Sequence, residues 1–334
     1  MNSTMPIGWG IIGGGDVVMR KSGPALLKCK QSSIIGVFCR NSKQATHVTE
    51  MLGGRVYETY EQMLEDPQVD IVYVATPHYL HYEHTLQALR ARKHVLCEKP
   101  IAVSVSQARD MIQAADDYGV ELFIAYYRRF HPIVQMARTC IDNFEIGEIT
   151  FVEYRSTFPL DWSKLPGPAW MWDCDKAGGG AIVNIGVHRL DILHYLVGSA
   201  SQVIAQVDNF HKNKPEKWIC GMFQYTSGAC GIIVQHSNTC PPCDILAIHG
   251  RCGMIKFDPF DKCLLIQVGK EIRKQNFVMP SSPHKALLEH IVSVLKGQVK
   301  NETVSGREAF YTTELVSALY TSASQEHPVK LTYV

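Results

Sequence analysis

An excess of charge of either sign is missing from this chain. Its 33 Lys and Arg stand against 32 Asp and Glu, a net charge of +1, and no stretch gathers the basic residues into a block. A nucleic-acid partner or an anionic membrane surface would therefore find no electrostatic footprint. Long apolar runs are missing too. None approaches the roughly 18 residues that a membrane helix needs, so no membrane partner is expected. The opening residues, Met1 to Pro6, lack a basic stretch followed by an apolar one, and no secretion signal is expected. The 11 cysteines lack the spacing of a disulfide framework. Their odd number and the size of the chain point to reduced thiols and a cytoplasmic setting. Internal repeats and low-complexity stretches are absent.

What remains is an ordinary globular composition, 46% hydrophobic and 19% charged over 334 residues. That length suggests two domains. The first third alternates apolar runs (Ile7–Ile12, Ile34–Phe38, Ile71–Ala75, His94–Cys97, Leu122–Ala125) with segments of helical period (Gln44–Leu52, His81–Arg90, Ser104–Tyr118). Ser104 and Gln107 form a capping-box pair, and Gly119 sits where a helix should end. Continuous apolar strands joined by helices imply a parallel sheet covered on both faces. Beyond about residue 130 the pattern changes to a helix over 131–142, an alternating strand Ile149–Ser156, and a Gly-rich helix start at Gly178. Short strands then run from Gln202 to Val278, separated by turn residues, which reads as an antiparallel sheet. Helices at Lys285–Lys296 and Arg307–Ser324 close the chain. The boundary is drawn at 127/128: a dinucleotide-binding domain over 1–127 and a second domain over 128–334.

The first strand runs into Gly13-Gly14-Gly15-Asp16-Val17-Val18. Glycines between a strand and a helix let backbone N–H groups approach a pyrophosphate at the helix N-terminus. Val18 stands where the fingerprint has its third glycine. The fingerprint also expects an acidic residue about 20 positions on, to hold the ribose 2′-OH of NAD. No Asp or Glu occurs from Val17 to Thr49, and the second strand ends instead in Cys39-Arg40-Asn41-Ser42. An arginine there can pair with a 2′-phosphate, which favours NADP over NAD. A second signal is Cys97-Glu98-Lys99-Pro100 at the end of a buried strand, where ligands of such sheets bind. A lysine there can stabilise alkoxide charge developing on a substrate oxygen, with Pro100 restricting the backbone beside it.

These residues resemble the Gfo/Idh/MocA family, the glucose–fructose oxidoreductase and inositol dehydrogenase-like enzymes. The likeness covers nearly the whole chain and takes in Gly13-Gly14-Gly15, Val74-Ala75-Thr76-Pro77-His78 with His81, Cys97-Glu98-Lys99-Pro100 and Tyr127-Arg128-Arg129-Phe130-His131-Pro132. Gly178-Gly179-Gly180 with His188 and Asp191, and the run from Gly306-Arg307-Glu308-Ala309 to Leu331, also fit. The resemblance implies a Rossmann domain followed by an α/β domain with a large, mostly antiparallel sheet. It implies hydride transfer between a nicotinamide and a sugar, sugar derivative or cyclic polyol, a Lys99-Pro100 bond that is often cis in relatives, and dimers or tetramers formed through the second sheet. The cofactor set it suggests is Gly13, Gly15, Asp16 and Val17, then Arg40, Asn41 and Ser42, then Thr76, Pro77, His78 and His81, with Glu98, Lys99 and Trp170. The substrate set is Lys99, Tyr126, Arg128, Trp170, Asn184 and His188.

Asn184, His188 and Asp191 are spaced i, i+4, i+7 and share a face if Ala181–Leu196 is helical. Relatives usually carry Asp at the position of Asn184, and an amide cannot relay a proton as a carboxylate does. His188, with the ordinary imidazole pKa of about 6.5, becomes the candidate acid/base, and Asp191 a packing residue or an orienter of His188. The catalytic set is thus Lys99, His188 and Asn184. Trp170 offers a wall for a sugar. Met171 departs from the Arg of some NADP-linked reductases, and Trp162 and Trp172 read as core or loop anchors. Cys240-Pro241-Pro242-Cys243 has redox spacing but reads as a tight turn. His78, His81 and His84 begin a helix and suit cofactor contact or capping rather than zinc, so no metal is expected. Two other readings stay open: a dinucleotide-binding sensor or regulator that lost its chemistry at Asn184, and a nicotinamide-using glycosidase.

Overall fold

The computed structural model describes residues 5–161, 163–208 and 215–333; Trp162 lies outside them. The chain forms two compact units. The first runs to Tyr127 and takes in Pro280–Phe310; the second comprises Arg128–Met279 and the stretch from Tyr311 on.

The first unit holds β1 (Ile7–Ile12), α1 (Gly23–Leu27), β2 (Ser32–Phe38), α2 (Ser42–Leu52), β3 (Arg55–Val56), α3 (Tyr60–Glu65), β4 (Ile71–Val74), α4 (His78–Arg90), β5 (His94–Cys97), α5 (Val105–Tyr118) and β6 (Leu122–Ile124). Its six strands are all parallel in the order β3-β2-β1-β4-β5-β6. That is the Rossmann order, with its reversal between β1 and β4. Every residue of β1 and β4 is buried, as expected of strands covered on both faces. The helix α5 buries Ala108, Met111, Ile112 and Ala115, one stripe at helical spacing. Ser104 caps it, accepting the Gln107 N–H at 3.2 Å, and Gly119 ends it in the left-handed region. The sequence reading missed β3 and α3, although Thr59 and Gln62 form a full capping box there.

The second unit holds α6 (Pro132–Asp142), β7 (Ile149–Pro159), α7 (Cys174–Ala177), α8 (Val187–Val197), β8 (Ala200–Val207), β9 (Trp218–Tyr225), β10 (Cys230–His236), β11 (Asn238–Gly250), β12 (Gly253–Phe257), β13 (Cys263–Val268) and β14 (Glu271–Asn276). After α9 (Lys285–Leu295) of the first unit come α10 (Gly306–Gln325) and β15 (Val329–Lys330). Nine strands form one sheet in the order β14-β13-β12-β11-β7-β10-β9-β8-β15. It is antiparallel except where β10 lies parallel to β7. Its core joins Val152, Tyr154, Phe223 and Ile248 to Ile133, Leu190 and Leu319 on helices.

Three expectations are corrected. The segment Pro280–Phe310, placed by sequence in the second domain, belongs to the first unit. The Ile124 N–H donates to Val304 O at 2.8 Å, and Phe123 bridges Ser305 antiparallel, so this segment covers the β6 edge. Gly178 ends α7 in the left-handed region instead of starting a helix; the next helix begins at Ala181. Cys240–Cys243 is no tight turn. It is an irregularity inside β11, where pairing with β7 jumps from Asn238 to Cys243, and both thiols are free.

Candidate active site

The first unit brings its expected residues to one edge of the sheet, because each follows the carboxyl end of a parallel strand. At the end of β1, Gly13 has φ +100°, and a Cβ there would lie 2.5 Å from Ala75 O. Only glycine lets the chain pass that close to β4. Around Gly15 the space is open, and a Cβ would meet nothing within 4 Å. A helix starts directly after it at Asp16, with the Val18 and Met19 N–H groups donating to Gly15 O. Helix start, glycine turn and open space together fit a pyrophosphate. The helix widens to a π turn over Val18–Ser22 before α1. Pro24 in the first turn of α1 has no N–H to give the ladder, and Ser22 Oγ donates to Val17 O at 3.0 Å.

The end of β2 is tied to this turn. Gln44 Nε2 donates to Gly14 O at 2.6 Å, and Asn41 caps α2, accepting the Lys43 N–H. Arg40, Asn41 and Ser42 are exposed.

After β4, Thr76 and Pro77 are partly exposed and Pro77 precedes α4. His78 is buried. His81, expected at the cofactor, is completely buried, with Nδ1 2.8 Å from Pro100 O and Nε2 2.9 Å from Thr76 O. Its ring braces the end of β4 against the turn after β5. Burial pushes its pKa down to about 4 against the help of those two carbonyls.

The Lys99-Pro100 bond is cis, and Lys99 is partly exposed. Glu98 points inward. Its Oε1 accepts the hydroxyl of the fully buried Tyr73 at 2.6 Å and its Oε2 the Lys99 N–H at 3.3 Å. Desolvation raises its pKa, with Tyr73 and the Lys99 ammonium opposing. His284, from the segment before α9, lies 4.0 Å from the same carboxylate and stacks on Tyr127. Glu98 thus braces the Lys99 backbone from within. Tyr126, expected at the substrate, is 1% exposed.

In the second unit, Asn184 lies in a π turn, Ile182–Gly186, directly before α8. Its amide donates to Met171 O at 2.7 Å and Gly180 O at 3.1 Å. A carboxylate in this orientation would face two carbonyl oxygens, so the amide fits where an acid would not. His188, near the start of α8, is partly exposed. Asp191 is committed elsewhere: Arg129 holds it from Nε and Nη2, at 2.7 to 3.2 Å, with both side chains at 0–1% exposure. Arg128, expected at the substrate, forms an ion pair with Asp261. Trp170 sits in the short turn Ala169–Trp172, and Trp172 Nε1 donates to Pro166 O. Sequence reasoning missed Glu216, Tyr320 and His284, which lie far along the chain from the groups they support.

A Rossmann sheet with this glycine turn and a braced lysine at a strand end defines a dinucleotide-binding unit of oxidoreductase type. The oxidoreductase family with an NAD-binding Rossmann fold matches residues 7–126, and the GFO/IDH/MocA C-terminal domain matches residues 134–256. The chain belongs to the Gfo/Idh/MocA family. It is 34% identical to levoglucosan dehydrogenase of Pseudarthrobacter phenanthrenivorans over 47% of its own length and 40% of that protein's. It is 28% identical to trans-1,2-dihydrobenzene-1,2-diol dehydrogenase of Mus musculus over 68% of this chain and 67% of that one. The match thus spans less than half the length of the first relative and two thirds of the second. Aldose-aldose oxidoreductase from Caulobacter crescentus, solved with glycerol, superposes with a TM-score of 0.86 at 27% identity, covering 98% of this chain and 100% of that one.

Proposed function

We propose that the protein is an NADP-preferring dehydrogenase or reductase acting on a ring secondary alcohol, or the matching ketone, of a sugar, sugar derivative or cyclic polyol. The observation that carries this reading is Lys99, held at the end of β5 by a buried carboxylate and standing on the same sheet edge as the glycine turn. Levoglucosan and dihydrodiols, named for the two relatives, share a ring carbon bearing a hydroxyl, which supports the substrate class. A nicotinamide, when bound, exchanges hydride with that carbon. In oxidation His188 accepts the hydroxyl proton, while the Lys99 ammonium stabilises the alkoxide left behind. In reduction His188 returns the proton. Asn184 orients these groups and carries no proton itself.

The test is absorbance at 340 nm with purified protein, NADP or NAD, and a panel of sugars and polyols that includes levoglucosan. Lys99→Ala is expected to lower kcat by about 10²–10⁴-fold while NADPH binding persists. Wild-type turnover in that variant would refute the role of Lys99. Asn184 favours one other reading, a dinucleotide sensor without chemistry. Tight NADPH binding with no turnover across the panel would select it.

A further inference from the structure

Outside the proposed catalytic set, one buried acid of the second unit is tied to the backbone from which Asn184 and His188 project. Glu216, 2% exposed, lies between β8 and β9. Its Oε1 accepts the Ile182 N–H at 2.6 Å. Its Oε2 accepts the Tyr320 hydroxyl of α10 at 3.0 Å, and that hydroxyl oxygen accepts the Gly180 N–H, also at 3.0 Å. The first N–H groups of a helix have no acceptor within it. Here two such groups are held by side chains brought from 34 and 140 positions away. The glycines make room for them: a Cβ on Gly179 would lie 2.5 Å from Tyr320 Oη, and one on Gly180 2.1 Å from Glu216 Oε2. The chain of bonds continues from Gly180, whose carbonyl accepts the Asn184 amide.

The geometry points to Glu216 as a positioning residue for hydride transfer: with Tyr320 it clamps the start of the helix and so sets where Asn184 and His188 stand. This rests on the catalytic reading given above. The carboxylate must be ionised to do this. A helix N-terminus favours a negative charge, and a protonated carboxyl would turn one acceptor into a donor facing a donor. Burial pushes Glu216 up to about 6, with the Asp208 carboxylate adding to the rise and Ile182 N–H and Tyr320 opposing it. Among the described residues, Tyr320 of α10, Cys174 of α7 and Asp208 at the end of β8 face it. Burial raises both Tyr320 and Cys174, so neither loses a proton near pH 6. The clamp is therefore complete above about pH 6 and is lost as pH falls through that value.

The experiment compares wild type, Glu216→Gln and Tyr320→Phe with the panel substrate that wild type oxidises fastest. Both variants are expected to lose about tenfold to 100-fold in kcat with the Kd for NADPH changed less than about twofold. Protonated Glu216 and Gln are alike in shape and charge, so the ratio of wild-type to Glu216→Gln kcat for oxidation should fall towards one as pH drops through about 6. A ratio that does not change with pH, or unchanged kcat in both variants, overturns the role. Hydrogen exchange over residues 178–190, corrected for intrinsic rates, gives a readout that needs no substrate. Protection should fall in wild type between about pH 7 and about pH 5, and in Tyr320→Phe at pH 7; steady protection in both overturns the clamp. Lost protection with no turnover on any substrate overturns the catalytic reading, and the positioning role with it, while the clamp stands. Should Glu216→Gln fail to fold, Tyr320→Phe, which removes a single hydroxyl, carries the same comparison.

Discussion

Arg40 lies exposed just past β2, with Asn41 capping the helix behind it and no carboxylate nearby in sequence to claim its guanidinium. If it meets a 2′-phosphate, the loss is that of a charged hydrogen bond, about 1.5–3 kcal/mol. Arg40→Ala should then weaken NADPH binding by about 10–100-fold and leave NADH binding nearly unchanged, as read by nicotinamide fluorescence titration. Equal loss for the two cofactors would show that Arg40 does not discriminate between them. At this scale the placement of Gly13, Gly15, Arg40 and Lys99 just past the carboxyl ends of parallel strands was legible in sequence. The supports were not. His284 braces the Glu98 region from 186 positions away, and no local pattern distinguishes it from other core histidines. His81 was legible as a motif position, but its burial was not, because only the fold shows which carbonyls its two nitrogens meet.

The helix carrying Asn184 and His188 shows the same division among elements. Its apolar run was readable. The π turn at Ile182–Gly186 was not, since it arises where Asn184 turns its amide back to Gly180 and Met171. Nor was the fate of Asp191, three residues past His188, which is bound to Arg129 in full burial. Arg129 also stacks over Tyr195 at 5.3 Å, so this pair joins the start of the unit to α8. Removing one partner of a buried ion pair costs about 3–5 kcal/mol. Asp191→Ala should lose that much stability in urea unfolding followed by circular dichroism. A loss below about 1 kcal/mol would mean that Arg129 finds another partner or reaches water.

For the whole molecule, the boundary at 127/128 was readable from the change of pattern, and the return of the chain was not. Helical period in Lys285–Leu295 says that a helix forms, not which core it joins; that is decided by the exposed edge of β6 and the face of the first sheet. The segment Pro280–Phe310 supplies the hydrogen bond from Ile124 to Val304, the bridge from Phe123 to Ser305 and the Asn301 amide on Glu121. It also brings the His284 ring onto Tyr127, with centroids 4.1 Å apart. A fragment ending at Tyr127 would expose the backbone of β6 to solvent and leave Glu98 open beside Lys99, an edge and a buried acid that water would then reach. The Rossmann unit is therefore expected to fold only with both of its pieces. Residues 1–127 alone should show no cooperative thermal transition and no NADPH binding. The same residues joined to 280–310 by a flexible Gly-Ser linker should melt cooperatively and bind NADPH. A cooperative melt with binding in the shorter fragment would show that the returning segment is dispensable, and that the parallel sheet and its covering helices suffice without it.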